Sequence, residues 1–208
     1  MYKKNIYLFF LLLSFNNLNI YADSLEEDIA KNKDRFSQIA LDIWGFAEMG
    51  YQEVKSSNLL ANELKNEGFR IRKNVAGIPT AFIAEYGSSG PVIGILGEFD
   101  ALPGLAQSSS PFKEIIKNET GAGHACGHHL FGAASAWAAV TIKNWLKDNN
   151  VKGTIRFYGT PAEEGGSGKV YMVREGLFDD VDIVLHWHPD DVNSANARTS
   201  NSNKSAKF

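Results

Sequence analysis

The sequence predicts an α/β fold in which a mixed sheet carries helices on both faces. Short apolar segments typical of strands alternate along the chain with longer segments whose apolar residues recur at helical spacing. Three of the apolar segments run directly into loops with acids or histidines, which read GEFD, TPAEEGG and LHWHP. Because sites in open α/β sheets form at the carboxyl ends of strands, we expect these loops to meet at one edge of the sheet.

Length and composition exclude some classes of protein. The chain has 208 residues, enough for one domain with a sizeable core. A hydrophobic content of 44% with 22% charged residues is typical of a globular protein. The net charge of −3 and the lack of a lysine- or arginine-rich face argue against a nucleic-acid partner.

The first 22 residues have the pattern of a secretory signal peptide, although a buried N-terminal helix is the alternative. Lys3 and Lys4 precede an apolar run at residues 6–13, and a polar stretch then ends at Ala22. The run is shorter than the ~20 residues that span a bilayer, and no cysteine lies near the cleavage point to carry a lipid. We therefore predict a periplasmic or secreted protein without a stable membrane anchor.

Two helices are predicted before the first strand. Ser24 and Glu27 have the spacing of a capping box, which predicts a helix from Ser24 to about Trp44. A second helix is predicted at residues 56–67, where Gly68 ends it.

Three strands are predicted next, at residues 69–74, 80–86 and 91–97. The GSSG segment between the last two is typical of a hairpin connection, so these two strands are expected to pair. Residues 91–97 are apolar on both faces, as in a central strand.

The remaining segments alternate between helix and strand. Residues 105–123 are polar and irregular, and such a long loop in a compact domain is more often functional than idle. An alanine-rich helix is predicted at residues 127–147, a strand at 153–159, a short helix at 167–175 and a strand at 182–186.

Residues 121–130, GAGHACGHHL, concentrate the possible metal ligands. They hold the only cysteine and three of the five histidines. Cys126 and His128 lie two apart at a predicted helix start, where a thiolate and an imidazole can face one ion. Two alternatives are a buried thiol among polar histidines and a cysteine nucleophile paired with a histidine.

Two further pairs follow strands. Glu163 and Glu164 are adjacent, so on extended backbone one can bind a metal while the other faces the substrate. His186 and His188 point to the same face, and either could be a ligand. Asp100 could orient a histidine ligand or contact a metal directly.

Four motifs occur in order between residues 44 and 208, namely GEFDALPGL, GHACGHHLFGAA, TPAEEGGSGK and VDIVLHWHP. The set resembles the M20 family of metallopeptidases and amidohydrolases. It is most similar to the branch with the aminobenzoyl-glutamate hydrolase B subunits and the hippurate and auxin-conjugate amidohydrolases. The resemblance implies a di-metal, exopeptidase-like catalytic domain that uses two divalent ions, zinc or manganese. Its substrate would be an N-acyl amino acid or small peptide, whose amide bond is hydrolysed.

The resemblance also implies roles for single residues. Cys126, His128, Glu164 and His188 would be metal ligands, and Glu163 would be the general base that activates a metal-bound water.

Two acids of the first motif are treated differently. Asp100 matches an aspartate of that motif and is grouped with the catalytic residues. Glu98 stands where other branches have a histidine ligand, so no role is assigned to it.

The resemblance predicts the domain organisation as well. Residues 1–22 would be the signal peptide, 23–190 the N-terminal part of the catalytic domain, and 191–208 the start of a lid domain. Family members homodimerise through the lid and then supply a last histidine ligand, so the chain is expected to be truncated. An inactive metal-binding remnant, or one half of a split enzyme, is the alternative function.

Overall fold

The computed structural model describes residues 3–195, and it describes side chains from residue 25 to residue 195. The helices are Lys3–Phe46 (α1), Val54–Asn66 (α2), His128–Asp148 (α3), Glu163–Gly166 (α4) and Gly168–Arg174 (α5), with a 3₁₀ turn at Val75–Gly77. The strands are Arg70–Lys73 (β1), Phe82–Tyr86 (β2), Val92–Gly97 (β3), Leu102–Pro103 (β4), Ala122–Gly123 (β5), Thr154–Gly159 (β6) and Ile183–Leu185 (β7).

A five-stranded mixed sheet forms the centre of the fold, in the order β1-β2-β6-β3-β7. Strands β3, β6 and β7 are parallel, and β1 and β2 run antiparallel to their neighbours. Strands β4 and β5 pair separately and close the long loop between them. The predicted α/β class and mixed sheet are confirmed.

The predicted hairpin between β2 and β3 is wrong, because β6 lies between these two strands. All six residues of β6 are buried, so the central position hides its apolar side chains more completely than a sheet edge would. The GSSG segment instead lies against the start of β6. A Cβ added to Gly87 would lie 2.2 Å from the carbonyl oxygen of Gly153, so this approach requires glycine.

Helix α1 begins at Lys3, so the predicted helix start at Ser24 is also wrong. No glycine or proline occurs between residues 3 and 23, and the helix therefore continues through the capping-box pattern. The predicted signal peptide remains a prediction. Within the described part of the chain, no helix combines the length and apolar character needed to cross a membrane.

Helices cover both faces of the sheet, as predicted. On one face, α1, α2 and α3 pack with the sheet into the larger core cluster, where Phe36, Leu60 and Phe157 are buried. On the other face, Met172 of α5 packs against Tyr158 of β6 and its neighbours. The sheet is therefore held between two apolar layers, while its strand ends stay free to carry polar loops.

Candidate metal centre

The parallel strands bring the three polar loops to one edge of the sheet, as the sequence predicts. The last residues of β3 and β6 are paired, Gly97 with Gly159, and Leu185 of β7 pairs with Ile95. Parallel strands whose ends are in register place the residues that follow them side by side. The loops after β3, β6 and β7 therefore surround the start of α3.

His128, the first residue of α3, is fully buried between two carboxylates. Its Nδ1 lies 2.9 Å from Oδ1 of Asp100, and its Nε2 lies 2.9 Å from Oε2 of Glu98. Burial by itself lowers the pKa of His128, but Asp100 and Glu98 outweigh it and raise the pKa to about 10. Without a metal, the imidazole therefore carries a proton on each nitrogen at neutral pH.

Close packing of α3 on the sheet holds His128 in this position. Gly132 lies one turn after His128, and a Cβ added there would be 2.7 Å from the carbonyl oxygen of Glu98. Any larger residue would push the start of the helix away from the end of β3.

Cys126 and His188 complete a ligand cluster with His128. The Sγ of Cys126 lies 3.5 Å from Nε2 of His188. One ligand atom from each of these three side chains lies within 4.8 Å of the others. Between the two histidines that the sequence left open, His188 belongs to this cluster, whereas His186 packs its ring edge-on against Phe131.

The side chains of the adjacent acids Glu163 and Glu164 have different surroundings. Glu163 is exposed, and its carboxylate lies within 4.8 Å of ligand atoms of Glu98 and His128. Glu164 turns inward, and its carboxylate contacts the thiol of Cys126. The backbone N–H of Glu164 donates a 2.8 Å hydrogen bond to Oδ2 of Asp100.

Three ligand-type atoms at this edge are buried and have no well-aligned hydrogen-bond partner among the described residues. They are Oε1 of Glu164, and the two atoms Oε2 of Glu98 and Nε2 of His128, which form an ion pair with each other at 2.9 Å. A buried polar atom without a partner costs roughly 1–3 kcal/mol, so such atoms rarely cluster by chance. Their types, together with a thiol, match the ligands that divalent transition metals use, and the donor set therefore fits a bound cation.

The surroundings of Cys126 oppose a free thiolate. Burial and the carboxylate of Glu164, with smaller contributions from Glu163 and Glu98, raise the pKa of the thiol to about 12. A cysteine nucleophile needs the opposite shift. A divalent cation would reverse the local charge balance and stabilise the thiolate as a ligand.

Asp100 is buried and joins two parts of the centre. One of its oxygens binds His128 and the other binds the backbone of Glu164, so it fixes the ring and the acidic loop together. Both contacts are those of a residue that orients ligands.

His124 and His129 lie outside the cluster, and both contact the end of helix α1. His124 Nε2 lies 3.0 Å from the carbonyl oxygen of Ile43, and the ring of His129 packs edge-on against Trp44. Burial lowers the pKa of both histidines to about 4, so both are neutral at pH 7.

Sequence reasoning missed Lys169, whose ammonium contacts Oε1 of Glu98. Burial alone would raise the pKa of Glu98, but contact with His128, His186 and Lys169 holds it well below the usual range. The only feature of the sequence that marks Lys169 is its position as the last residue of the motif TPAEEGGSGK, which begins at Thr160.

Sequence reasoning also missed Glu53, a fully buried acid at the start of α2. It accepts hydrogen bonds from the backbone N–H of Ala162 at 2.8 Å and from the hydroxyl of Thr80 at 2.9 Å. Ala162 has a left-handed backbone with φ of 55°, and it directly precedes Glu163. Nothing in the sequence around Glu53 indicates this contact, which joins residues 109 positions apart.

Comparison with known proteins decides the family. A model of peptidase family M20/M25/M40 matches residues 94–199, which include the last four residues of β3, all of β6 and β7, and the loops that follow these strands. The chain belongs to this family. The predicted resemblance and the exopeptidase-like fold are thereby confirmed.

Individual M20-type relatives agree with this placement. The B subunit of the p-aminobenzoyl-glutamate hydrolase of Escherichia coli K12 is 46% identical over 166 residues, which cover 80% of this chain and 34% of the relative. The hippurate hydrolase of Campylobacter jejuni is 30% identical, and the match covers 79% of this chain and 42% of the relative. The chain thus spans between a third and a half of the length of these relatives.

A solved structure gives the same result. The Bacillus subtilis YXEP protein, a dinuclear metal-binding peptidase of the M20 family, superposes with a TM-score of 0.62 at 30% identity. The match covers 76% of this chain and 44% of that chain.

Proposed function

We propose that this chain carries the metal centre of a hydrolase that cleaves the amide bond of N-acyl amino acids or small peptides. The observation that carries the proposal is the cluster of Cys126, His128 and His188 beside the exposed carboxylate of Glu163. The names of relatives support the substrate class, since p-aminobenzoyl-glutamate and hippurate are both N-acyl amino acids.

The proposed ligands are Cys126, His128, Glu164 and His188. A divalent ion bound there would polarise the substrate carbonyl and stabilise negative charge on its oxygen. Thiolate and imidazole favour zinc over manganese, which prefers oxygen ligands. Cys126 contacts both His188 and Glu164, so its thiolate would be available as a ligand beside either residue. The Bacillus subtilis relative is a dinuclear metal-binding peptidase, which supports a centre of two ions.

Glu163 is the proposed general base. Its pKa is raised, first by partial burial and then by the negative charge of Glu98, which suits a carboxylate that accepts and returns a proton. Glu163 would take a proton from the attacking water and deliver it to the leaving nitrogen. Asp100 keeps His128 in one ring orientation throughout.

The export and the lid-mediated homodimer predicted from the sequence remain proposals. Amino-terminal sequencing of the protein from a periplasmic or culture fraction tests the first, and a mature terminus near Asp23 is expected. An intact Met1 in that fraction would contradict it.

The test of the proposed function measures hydrolysis of p-aminobenzoyl-glutamate and hippurate by the protein loaded with zinc or manganese. A chelator is expected to abolish turnover, and added metal to restore it. Glu163→Gln should lower turnover by about 10²–10⁴-fold while the bound metal, measured by mass spectrometry, stays constant.

Glu175→Gln is the matched control, because Glu175 is an exposed acid at the end of α5. Turnover that survives chelation but is lost in Cys126→Ser would indicate a cysteine hydrolase instead. No turnover with either metal at full metal occupancy would favour a non-catalytic metal-binding protein.

A further inference from the structure

The acidic turn, residues 162–167, carries Glu163 and follows β6. Its end residues Ala162 and Ser167 both have a left-handed backbone, with φ of 55° and 57°. A residue other than glycine keeps this conformation only where its surroundings hold it. None of the four residues between these ends is buried, so no apolar side chain anchors that part of the turn in the core. Contacts from other elements must therefore fix its shape.

Glu53 contacts the first end of the acidic turn. It is fully buried, and one carboxylate oxygen accepts a hydrogen bond from the backbone N–H of Ala162, while the other accepts one from the hydroxyl of Thr80. Glu53 stands at the N-cap of α2, yet its side chain does not cap that helix. The carboxylate of Glu48 accepts hydrogen bonds from N–H groups of the first helical turn instead. Helix capping therefore does not explain the buried carboxylate of Glu53.

Tyr51 contacts the other end of the acidic turn. Its hydroxyl donates a hydrogen bond to the backbone carbonyl oxygen of Gly166, and its ring lies so close that a Cβ added to Gly166 would be 2.9 Å from a ring carbon. Tyr51 itself has a left-handed backbone, with φ of 66°. The neighbouring Gly50 packs against Ala162, since a Cβ at position 50 would lie 3.1 Å from that residue. The segment that leads into α2 thus contacts the acidic turn at both ends.

The same segment also contacts the loop that follows β3. The backbone N–H of Ala101 donates a 2.8 Å hydrogen bond to the carbonyl oxygen of Glu48, and Met49 forms a parallel bridge with Ala101. Residues 48–53 therefore connect the loops that follow two neighbouring parallel strands, β3 and β6. Because strand ends in register bring these loops close together, a segment bonded to both can fix the distance between them.

We propose that Tyr51 and Glu53 are positioning residues, which hold the acidic turn at its two ends and so fix the place of Glu163. Neither residue contacts the reacting atoms, and both act through the backbone of the turn. Because a small misplacement of a reacting group lowers the rate strongly, the two contacts determine how well Glu163 can accept a proton. The inference rests on the proposed function in one respect, the role of Glu163 as the general base.

Amide hydrogen exchange of the full chain, followed residue by residue by nuclear magnetic resonance, tests the contact of Glu53 without any need for turnover. Glu53→Ala should speed exchange of the Ala162 N–H at least about tenfold, while amides of the central strand β6, which report global unfolding, change less. Glu53→Gln should restore most of the protection, because its amide oxygen can still accept from Ala162. Equal exchange of this N–H in Glu53→Ala and the wild type would overturn the proposal.

Tyr51→Phe provides a second route that does not disturb the core, because Tyr51 is 41% exposed and the variant keeps its ring. Loss of the hydroxyl should speed exchange about three- to tenfold at the N–H of Gly168, which is bonded to the carbonyl oxygen of Ala162. Tyr86→Phe is the matched control, since Tyr86 pairs with Ile155 at the opposite end of the sheet. Equal exchange at Gly168 in Tyr51→Phe and Tyr86→Phe would remove Tyr51 from the proposal.

Turnover of the metal-loaded chain then separates positioning from a general loss of structure. Tyr51→Phe should lower kcat about tenfold, leave KM and bound metal nearly unchanged, and have no further effect in a Glu163→Gln background. An equal loss in both backgrounds would show that Tyr51 does not act through Glu163.

The two measurements distinguish failure of this inference from failure of the proposed function. If exchange in the acidic turn rises as expected but no form of the chain hydrolyses either substrate, the two contacts are supported and the proposed function fails. If the wild type hydrolyses them and both Tyr51→Phe and Glu53→Ala leave exchange and kcat unchanged, the positioning role fails.

Discussion

His128 has a carboxylate at each ring nitrogen, and this arrangement controls how the centre gains a metal. Asp100 accepts a hydrogen bond from Nδ1, and Nε2 lies 2.9 Å from Oε2 of Glu98. Since Nε2 and the Cys126 thiol both hold protons in the metal-free chain, an incoming cation must displace them.

Replacement of Asp100 by asparagine tests its orienting role. The neutral amide of asparagine has one oxygen instead of two charged ones, so it cannot accept hydrogen bonds from both His128 and the backbone N–H of Glu164 as Asp100 does. Metal affinity should therefore fall by about 10–100-fold. Calorimetric titration with zinc measures the loss. Asp182→Asn is the control, since Asp182 binds the backbone of Val92 away from the centre. Equal affinities for wild type and Asp100→Asn would show that His128 needs no such support.

Metal binding should also depend steeply on pH. The pKa of His128 is raised to about 10 and that of Cys126 to about 12, so both are protonated near neutral pH. Binding of one ion then releases about two protons, and the logarithm of the affinity for zinc should rise by about 2 per pH unit between about pH 6.5 and 9. Titrations in buffers of different ionisation enthalpy count the protons.

Cys126→Ser separates the two contributions to this slope. Without the thiol, about one proton should be released per ion, from His128 alone. A zinc affinity that is independent of pH would show that His128 is already unprotonated in the metal-free protein.

At the scale of elements, the start of α3 and the end of β3 are positioned by close packing. A side chain at position 132 would clash with the backbone of Glu98. His128 lies one turn earlier in the same helix. The distance between these two elements therefore sets the distance between the acid and the imidazole.

Gly132→Ala is expected to push α3 outward, because the new Cβ would lie 2.7 Å from a backbone oxygen that cannot rotate away. Overpacking of this kind costs about 1–3 kcal/mol in the free energy of unfolding, and it should lower zinc affinity as well. Denaturant unfolding and calorimetry measure the two effects.

Gly45→Ala is the matched control, since Gly45 lies in α1 and nothing is within 4 Å of an added Cβ. Alanine has a higher helix propensity than glycine, so the Gly45→Ala variant should be as stable as the wild type or slightly more stable. If Gly132→Ala behaved like Gly45→Ala in both measurements, the close approach would have no role in the centre.

At the scale of the whole molecule, β7 is an edge strand with exposed apolar side chains. Ile183 is 53% exposed and Leu185 54% exposed, and among the described strands β7 pairs only with β3. An apolar strand with free backbone groups on one side is a template for pairing with another chain.

Ile183→Lys should therefore reduce self-association of the chain at high concentration, with a change in unfolding free energy within about 0.5 kcal/mol. Sedimentation velocity measures the association. Val173→Lys is the control, because Val173 is similarly exposed on helix α5 and has no free strand edge. If both variants reduced association equally, the added surface charge alone would explain the reduction, and the edge of β7 would have no role in it.

Local patterns predicted most elements and the candidate residues that the structure brings together at the sheet edge. Apolar patterning was sufficient for α2, α3 and each strand of the large sheet. The helices and the central strands bury the faces that their sequences make apolar, whereas the edge strands β1 and β7 stay largely exposed. Cys126 and His128 were candidate ligands because their motif begins a helix, and the resemblance to the family singled out Glu164 from its neighbour Glu163. The helix start at Ser24 was wrong because a short capping pattern cannot interrupt a stretch without helix breakers.

The sequence by itself determined the α/β class and the resemblance to the family, and it nominated the candidate site residues, since each of these depends on short segments. Only the tertiary structure decided that β6 separates β2 from β3, that Glu53 holds the loop before Glu163, and that Lys169 contacts Glu98. These contacts join residues about 70 or more positions apart. Their partners are chosen by burial and charge in the folded core, which no local spacing in the chain encodes.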